Sequence, residues 1–180
     1  MPRIAVPPAA PIPATASEYV VVPVPSAGPD GFELLEIFRA LGQRWAEVTL
    51  PPSLDRLAVA IAQSKQMLDW AEDWDGEGSP RFQQDTWQRA VYFLVENSRR
   101  LWRTTSIAVD TPKILPGPDG GFDIHWKTGR RSLLINFPAD ISEPVTFYGD
   151  NKLGQSVKGV LDLRINNQWL LMWLMQQTNR

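Results

Sequence analysis

Cysteine is absent and histidine occurs once, at position 125, in a chain of 180 residues. These scarcities exclude disulfide frameworks, Cys–His nucleophilic pairs and the Cys/His sites of structural zinc. A chain without cysteine fits a reducing cytoplasm, and the expected location is cytoplasmic. No apolar stretch reaches the roughly 18–20 residues that a membrane-crossing helix needs. Arg3 and the surrounding alanines and valines superficially suggest a secretory signal, but prolines 2, 7, 8, 11 and 13 interrupt any helical apolar segment. No G-x-S-x-G elbow, Walker A loop or G-x-G-x-x-G fingerprint occurs, and Gly76-Glu77-Gly78 has no strand before it. The expectation is a protein with neither enzymatic activity nor cofactor.

The net charge of −2 argues against a generic polyanion binder, but the charge is polarised. Residues 1–80 carry five Lys/Arg and eleven Asp/Glu, whereas residues 81–180 carry thirteen and nine. Such asymmetry orients partners or simply solvates opposite faces. The length suits one domain plus an appendage, and a domain of about 150 residues buries roughly two-thirds of its unfolded surface without any staple.

Eight of the sixteen prolines fall in residues 1–29. Proline fixes φ and removes a donor, so this stretch reads as an extended or disordered arm. Within it Tyr19 to Val22 has strand character, and Tyr19 and Val21 are candidate partner contacts along a sheet edge. A first helix is predicted from Asp30, with Asp30 and Glu33 as a capping box and Leu34, Phe38, Leu41 and Trp45 on one face. Ser53 caps a second predicted helix with Leu54, Leu57, Ile61 and Leu68 as its stripe. Ser79 and Pro80 form the cap and first position of a third, roughly 80–102, with Trp87, Val91, Leu94 and Leu101 inward. Gln83, Arg89, Glu96 and Arg100 mark its outer face.

Beyond residue 112 the period changes from 3.6 to 2. Phe122, Ile124 and Trp126 alternate with Asp123, His125 and Lys127, and Leu133, Ile135 and Phe137 answer them after a Thr-Gly-Arg turn. Runs at 145–148 and 157–163 complete an antiparallel meander of about four strands with one apolar face. The closing helix contains Trp169 to Met175, seven apolar residues in succession. One stripe cannot use all seven, so the helix is buried on several sides or meets another chain. The fold class is α+β: an arm over 1–29, then one domain over 30–180. Helices occupy 30–104, the sheet 110–163 and the closing helix 165–177.

Three sets of residues bear on function. Trp169, Leu170, Met172 and Trp173, with Tyr19 and Val21, are the candidate contacts for another protein or a second copy. The loop Trp70 to Gly78 is an acidic hinge in which Trp70 and Trp74 stack at i and i+4, Asp75 closes the turn, and Gly76 and Gly78 supply unusual φ values. Asp73, Asp75 and Glu77 are its outside candidates for a divalent cation and a metal-dependent hydrolase or nuclease. In EF-hand register, however, Ala71 and Phe82 fall where carboxylates are required. Arg99, Arg100, Arg103, Arg130 and Arg131 are the candidates for nucleic acid, the second alternative. Most tryptophans nevertheless sit in apolar phases, and His125 occupies the polar phase of its strand.

The string Trp74-Asp75-Gly76-Glu77-Gly78-Ser79-Pro80, followed by Pro112-Lys113-Ile114 and Pro116-Gly117-Pro118-Asp119-Gly120-Gly121, resembles an uncharacterised family of small bacterial and phage-associated proteins. That family carries a W-D-G-x-G loop and a later P-x-I-x-P-x-x-D-G hairpin. The resemblance covers about residues 65–163, with Ser79 where the family more often has alanine. It implies a shared fold across the two segments and an antitoxin-like or defence-associated binding role in a prokaryotic complex, with no activity attached.

Overall fold

A computed structural model describes residues 50–175. The proline-rich arm, with Tyr19 and Val21, and the predicted first helix lie outside the described residues. The described chain is α+β. A 3-10 turn, Pro52–Leu54, leads into α1 (Asp55–Ser64), and a second 3-10 segment, Lys65–Asp69, follows it directly. After a mostly exposed loop over residues 70–83 comes α2 (Gln84–Thr105). Strands β1 (Lys113–Pro116), β2 (Phe122–Lys127), β3 (Ser132–Phe137), β4 (Val145–Asp150) and β5 (Ser156–Leu161) then form one antiparallel sheet in sequential order, and α3 (Gln168–Met175) closes the fold.

The sheet has five strands, not about four. Lys113 to Pro116 had too few residues and too many neighbouring prolines to declare a strand, yet Ile114 stands opposite Ile124 and the segment pairs along β2. Pro116 ends the strand, and proline is tolerated there because this is the sheet edge.

Ile124 on β2 faces Ile135 on β3, which faces Phe147 on β4. With Phe122, Trp126, Leu133, Phe137 and Val145 they form a continuous apolar face. Helix α2 lays Ala90, Phe93, Leu94 and Leu101 on it, and Phe93 meets Phe137 edge-on at 5.9 Å. Leu54 and Leu57 fill the α1 side, while Leu170, Leu171 and Leu174 fill the α3 side. Each such side chain, fully buried, stabilises the fold by about 1.5–3 kcal/mol before entropy is counted. The buried indole of Trp126 satisfies its N–H on the Asp110 carbonyl at 2.7 Å.

Three helix boundaries depart from the sequence expectation for identifiable reasons. Ser53 makes no capping bond, because Pro51-Pro52 sets up a 3-10 turn and Leu54 becomes the residue before α1. Helix α1 stops at Ser64, so Leu68 reaches the core margin from the 3-10 segment. Helix α2 begins at Gln84, after an extended Gln83, and the Ser79 hydroxyl donates to Asp75 within the preceding loop instead of standing at the helix start. Ser106 ends α2 in the left-handed region at φ 57°, its N–H donating to the Trp102 carbonyl.

Arg89 was expected on the outer face of α2 and is instead buried. The β3–β4 connection folds over it, and its guanidinium donates to the Pro138 carbonyl. Burial lowers its pKa, opposed by the negative charges of Asp85 and Asp140. No described helix is long and apolar enough to cross a membrane.

Candidate functional site

The acidic loop is closed by its own side chains. The Asp73 carboxylate accepts the Gly78 N–H at 2.7 Å, while the Asp73 N–H donates to the Ser79 carbonyl at 2.8 Å. The Asp75 carboxylate accepts the N–H groups of Glu77 at 3.0 Å and Ser79 at 3.3 Å, together with the Ser79 hydroxyl. Such a path needs left-handed backbone, which Gly76 and Gly78 supply at φ 74° and 85° and Asp73 supplies at φ 59°. The Ser79 hydroxyl, followed by the Glu77 amide, holds the Asp75 carboxyl below its ordinary value.

Trp70 and Trp74 meet at 4.7 Å between ring centroids, tilted by 43°. They do so across a turn, because the preceding 3-10 segment ends at Asp69. Phe82 touches both rings and continues inward to Phe122 at 5.1 Å. An aromatic chain thus fixes an exposed loop to the sheet. The carboxylates of Asp73 and Asp75 are occupied with loop amides, and among the described residues no group of three or more His, Cys, Asp or Glu is placed to hold a metal ion. Asp73 and Asp75 close the turn through their carboxylates, and Glu77 contributes its backbone N–H.

A cleft of about 600 Å³ opens between the 3-10 segment and the start of α2, lined by Lys65, Gln66, Leu68, Asp69, Arg81 and Phe82 among others. It holds one carboxylate and no serine, histidine or tyrosine. His125 lies on the outer side of the sheet, half-buried, with Nε2 at 3.1 Å from Ser132 Oγ. The nearby Asp123 carboxylate accepts from Asn136 at 2.8 Å, and burial pushes its pKa up.

The closing helix separates its candidates. Leu170 and Trp173 are buried in this chain's own core, so neither is available to a partner. Trp169 and Met172 remain outward, 38% and 44% exposed. Phe147 props the Trp169 ring edge-on at 5.7 Å. Helix α3 is seated by Gln168, whose amide donates to Thr104 Oγ1 at 2.6 Å, and by the Asn167 N–H, which donates to Asn97 Oδ1 at 3.0 Å.

The arginine set also divides. Arg131 is 5% exposed and points inward, donating to the Trp173 carbonyl with its guanidinium over the same residue's ring. Its phase with Leu133 and Ile135 already marks it as inward, a signal the basic-cluster reading overlooked. Arg130 is exposed in the β2–β3 turn, Arg99 is half-buried, Arg100 pairs with Glu96 along α2, and Arg103 is exposed near the helix end. What sequence reasoning did not single out is the row on the outer side of the sheet that includes Lys113, Tyr148 and Lys158. The period-2 polar phase was its available signal. No protein-family model, no curated protein and no solved structure matches this chain.

Proposed function

We propose that this protein is a non-catalytic protein-binding module whose contact surface is the outward row of α3. One observation carries the reading. Helix α3 contains no charged residue, and its solvent-facing positions include Trp169 and Met172 although Leu170, Leu171 and Leu174 already supply its core face. A surface helix ordinarily gives such positions to charged or polar side chains. Tryptophan and methionine are enriched where proteins meet, the first as a rigid anchor and the second as an adaptable one. Phe147 holds the Trp169 ring in place, so less freedom is lost on docking.

The partner is another protein offering an apolar groove to one helix face. The arm, through Tyr19 and Val21, belongs to the same reading on sequence grounds alone. By analogy with the family it resembles, the partner is a toxin-like protein or a host complex in a prokaryotic cytoplasm.

The test is affinity purification of the full chain from its native host, beside a Trp169→Ala/Met172→Ala variant. We expect a stoichiometric partner that the variant loses while its unfolding midpoint stays close to wild type. A chain that holds no partner, with the variant behaving identically, removes the reading.

A further inference from the structure

Helix α2 is buried on two sides, only one of which faces the core. Phe93 meets the sheet at Phe137. On the flanks of that side, Asn97 and Thr104 hold α3, and the Trp87 indole bonds Ser64 at the end of α1. Val91 and Val95 stand two positions before and after Phe93, about 200° round the helix from it. Both are nonetheless buried, 6% and 4% exposed, and neither belongs to the core cluster of the described residues. Ser98 is fully buried beside them, and the Gln88 Oε1 atom on the same side is shielded as well. With half-buried Trp102, the positions 91, 95, 98 and 102 recur at i, i+4, i+7 and i+11. They form one stripe of about 16 Å at 1.5 Å per residue.

In a chain on its own, such burial comes from that chain's own residues. Residues 176–180 are Gln, Gln, Thr, Asn and Arg, and offer nothing apolar. Upstream of Leu50, the helix predicted from Asp30 places Leu34, Phe38, Leu41 and Trp45 at the same i, i+4, i+7 and i+11 spacing. Trp45 precedes Leu50 by five residues, so it stays within roughly 18 Å of a residue that itself packs against the core. The strand-like run Tyr19 to Val22 turns only two side chains to one side, too few for a four-residue stripe.

We infer that residues 30–49 cover this second face of α2, laying Leu34, Phe38, Leu41 and Trp45 along Val91, Val95, Ser98 and Trp102. Ser98 is the small position in the row, where two helix axes can approach closely. Helix α2 then forms a central layer, with the sheet on one side and the N-terminal segment on the other. The face is therefore a contact within this chain and not a docking site for another protein. The proline-rich residues 1–29 are tethered behind α2, away from the sheet. This contact is separate from the outward row of α3, so either reading can fail without the other.

The experiment is NMR on the full chain with its valine methyl groups labelled. Nuclear Overhauser cross-peaks should run from the Val91 and Val95 methyls to the rings of Phe38 or Trp45. Val59, 54% exposed on α1, serves as the control and should show none. In a mixture of labelled and unlabelled chains, no such peak should appear between copies. Phe38→Ala/Leu41→Ala and Val91→Ala/Val95→Ala should each lower the urea midpoint. The fourfold variant should lose less than their sum, as for residues in contact, while Val59→Ala should stay close to wild type. Cross-peaks from Val91 and Val95 to residues 1–29 instead, or between copies, would overturn the inference. So would strictly additive losses, or valine methyls at 91 and 95 that meet no residue before Leu50.

Discussion

Arg131 donates to the main-chain carbonyl of Trp173 and places its guanidinium carbon 4.8 Å from the centre of that residue's ring. One side chain therefore ties the start of β3 to the last turn of α3 in two ways, with a charge near helix carbonyls that favour it. Desolvation lowers the Arg131 pKa, yet a guanidinium remains protonated in such a setting. Arg131→Ala should cost about 3 kcal/mol, combining a lost charged hydrogen bond with a lost cation–π contact. Arg131→Lys should recover only part, because the planar fork is gone. Urea midpoints decide it; a loss within 0.5 kcal/mol of zero, at the order-of-magnitude scale of ordinary surface substitutions, would show that the contact contributes nothing.

Gly149 is the place on β4 where the Trp173 ring comes to rest. A Cβ there would stand 2.7 Å from the ring's Cη2 and Cζ3 atoms and 3.1 Å from the Ser132 carbonyl. Gly149→Ala should destabilise by about 1–3 kcal/mol through overpacking and displace the Trp173 ring. Near-ultraviolet circular dichroism and the urea midpoint report the two effects, and unchanged values for both would refute the close approach.

The two sides of α3 should respond differently to truncation. Leu170→Ala empties a fully buried site and should cost about 2–5 kcal/mol. Met172→Ala removes an outward side chain and should cost under about 1 kcal/mol. Equal costs would mean that α3 is rotated relative to its described placement.

Asp75 supplies a pH signature. Its folded pKa lies below the ordinary 3.8, with the Ser79 hydroxyl as the largest cause and the Glu77 amide next. The folded state therefore favours the ionised form, so this contribution is full above the unfolded value and is lost as pH falls through the depressed folded value. Carboxyl NMR should find Asp75 titrating below 3.8, with the Glu77 and Ser79 amide shifts following the same curve. Asp75→Asn should remove that curve and quicken amide exchange over residues 76–79. Titration at or above the ordinary value would contradict the loop geometry.

The β2–β3 hairpin was legible because six alternating apolar residues and a Gly-containing turn leave no competing register. Trp126 and Trp87 were likewise placed by phase: the first is in the core, and the second packs at its margin with its indole N–H on Ser64 Oγ at 2.9 Å. What the sequence hid depends on residues far away in the chain. Arg89 looks like a surface arginine on a helical wheel until Pro138, forty-nine positions later, arrives above it. Ser79-Pro80 looks like a helix start, but Asp75 draws Ser79 into the loop and the helix begins only at Gln84. The run from Trp169 to Met175 could not be divided into inward and outward residues without knowing that α2 and the sheet meet it from different sides. The loop's aromatic pair was readable, whereas its continuation through Phe82 to Phe122 required the tertiary fold.

The strictly sequential sheet has a consequence for how the chain folds during synthesis. Each strand can zip onto its predecessor as it leaves the ribosome, since every pairing joins neighbours in sequence. The core cannot close in the same stepwise manner. Leu170, Leu171 and Leu174 must emerge after the whole meander, and Asn167 must then reach back seventy positions to Asn97. Until then the part of the apolar sheet face that α3 covers stays open beside α2, the kind of surface that chaperones bind and that aggregates form on.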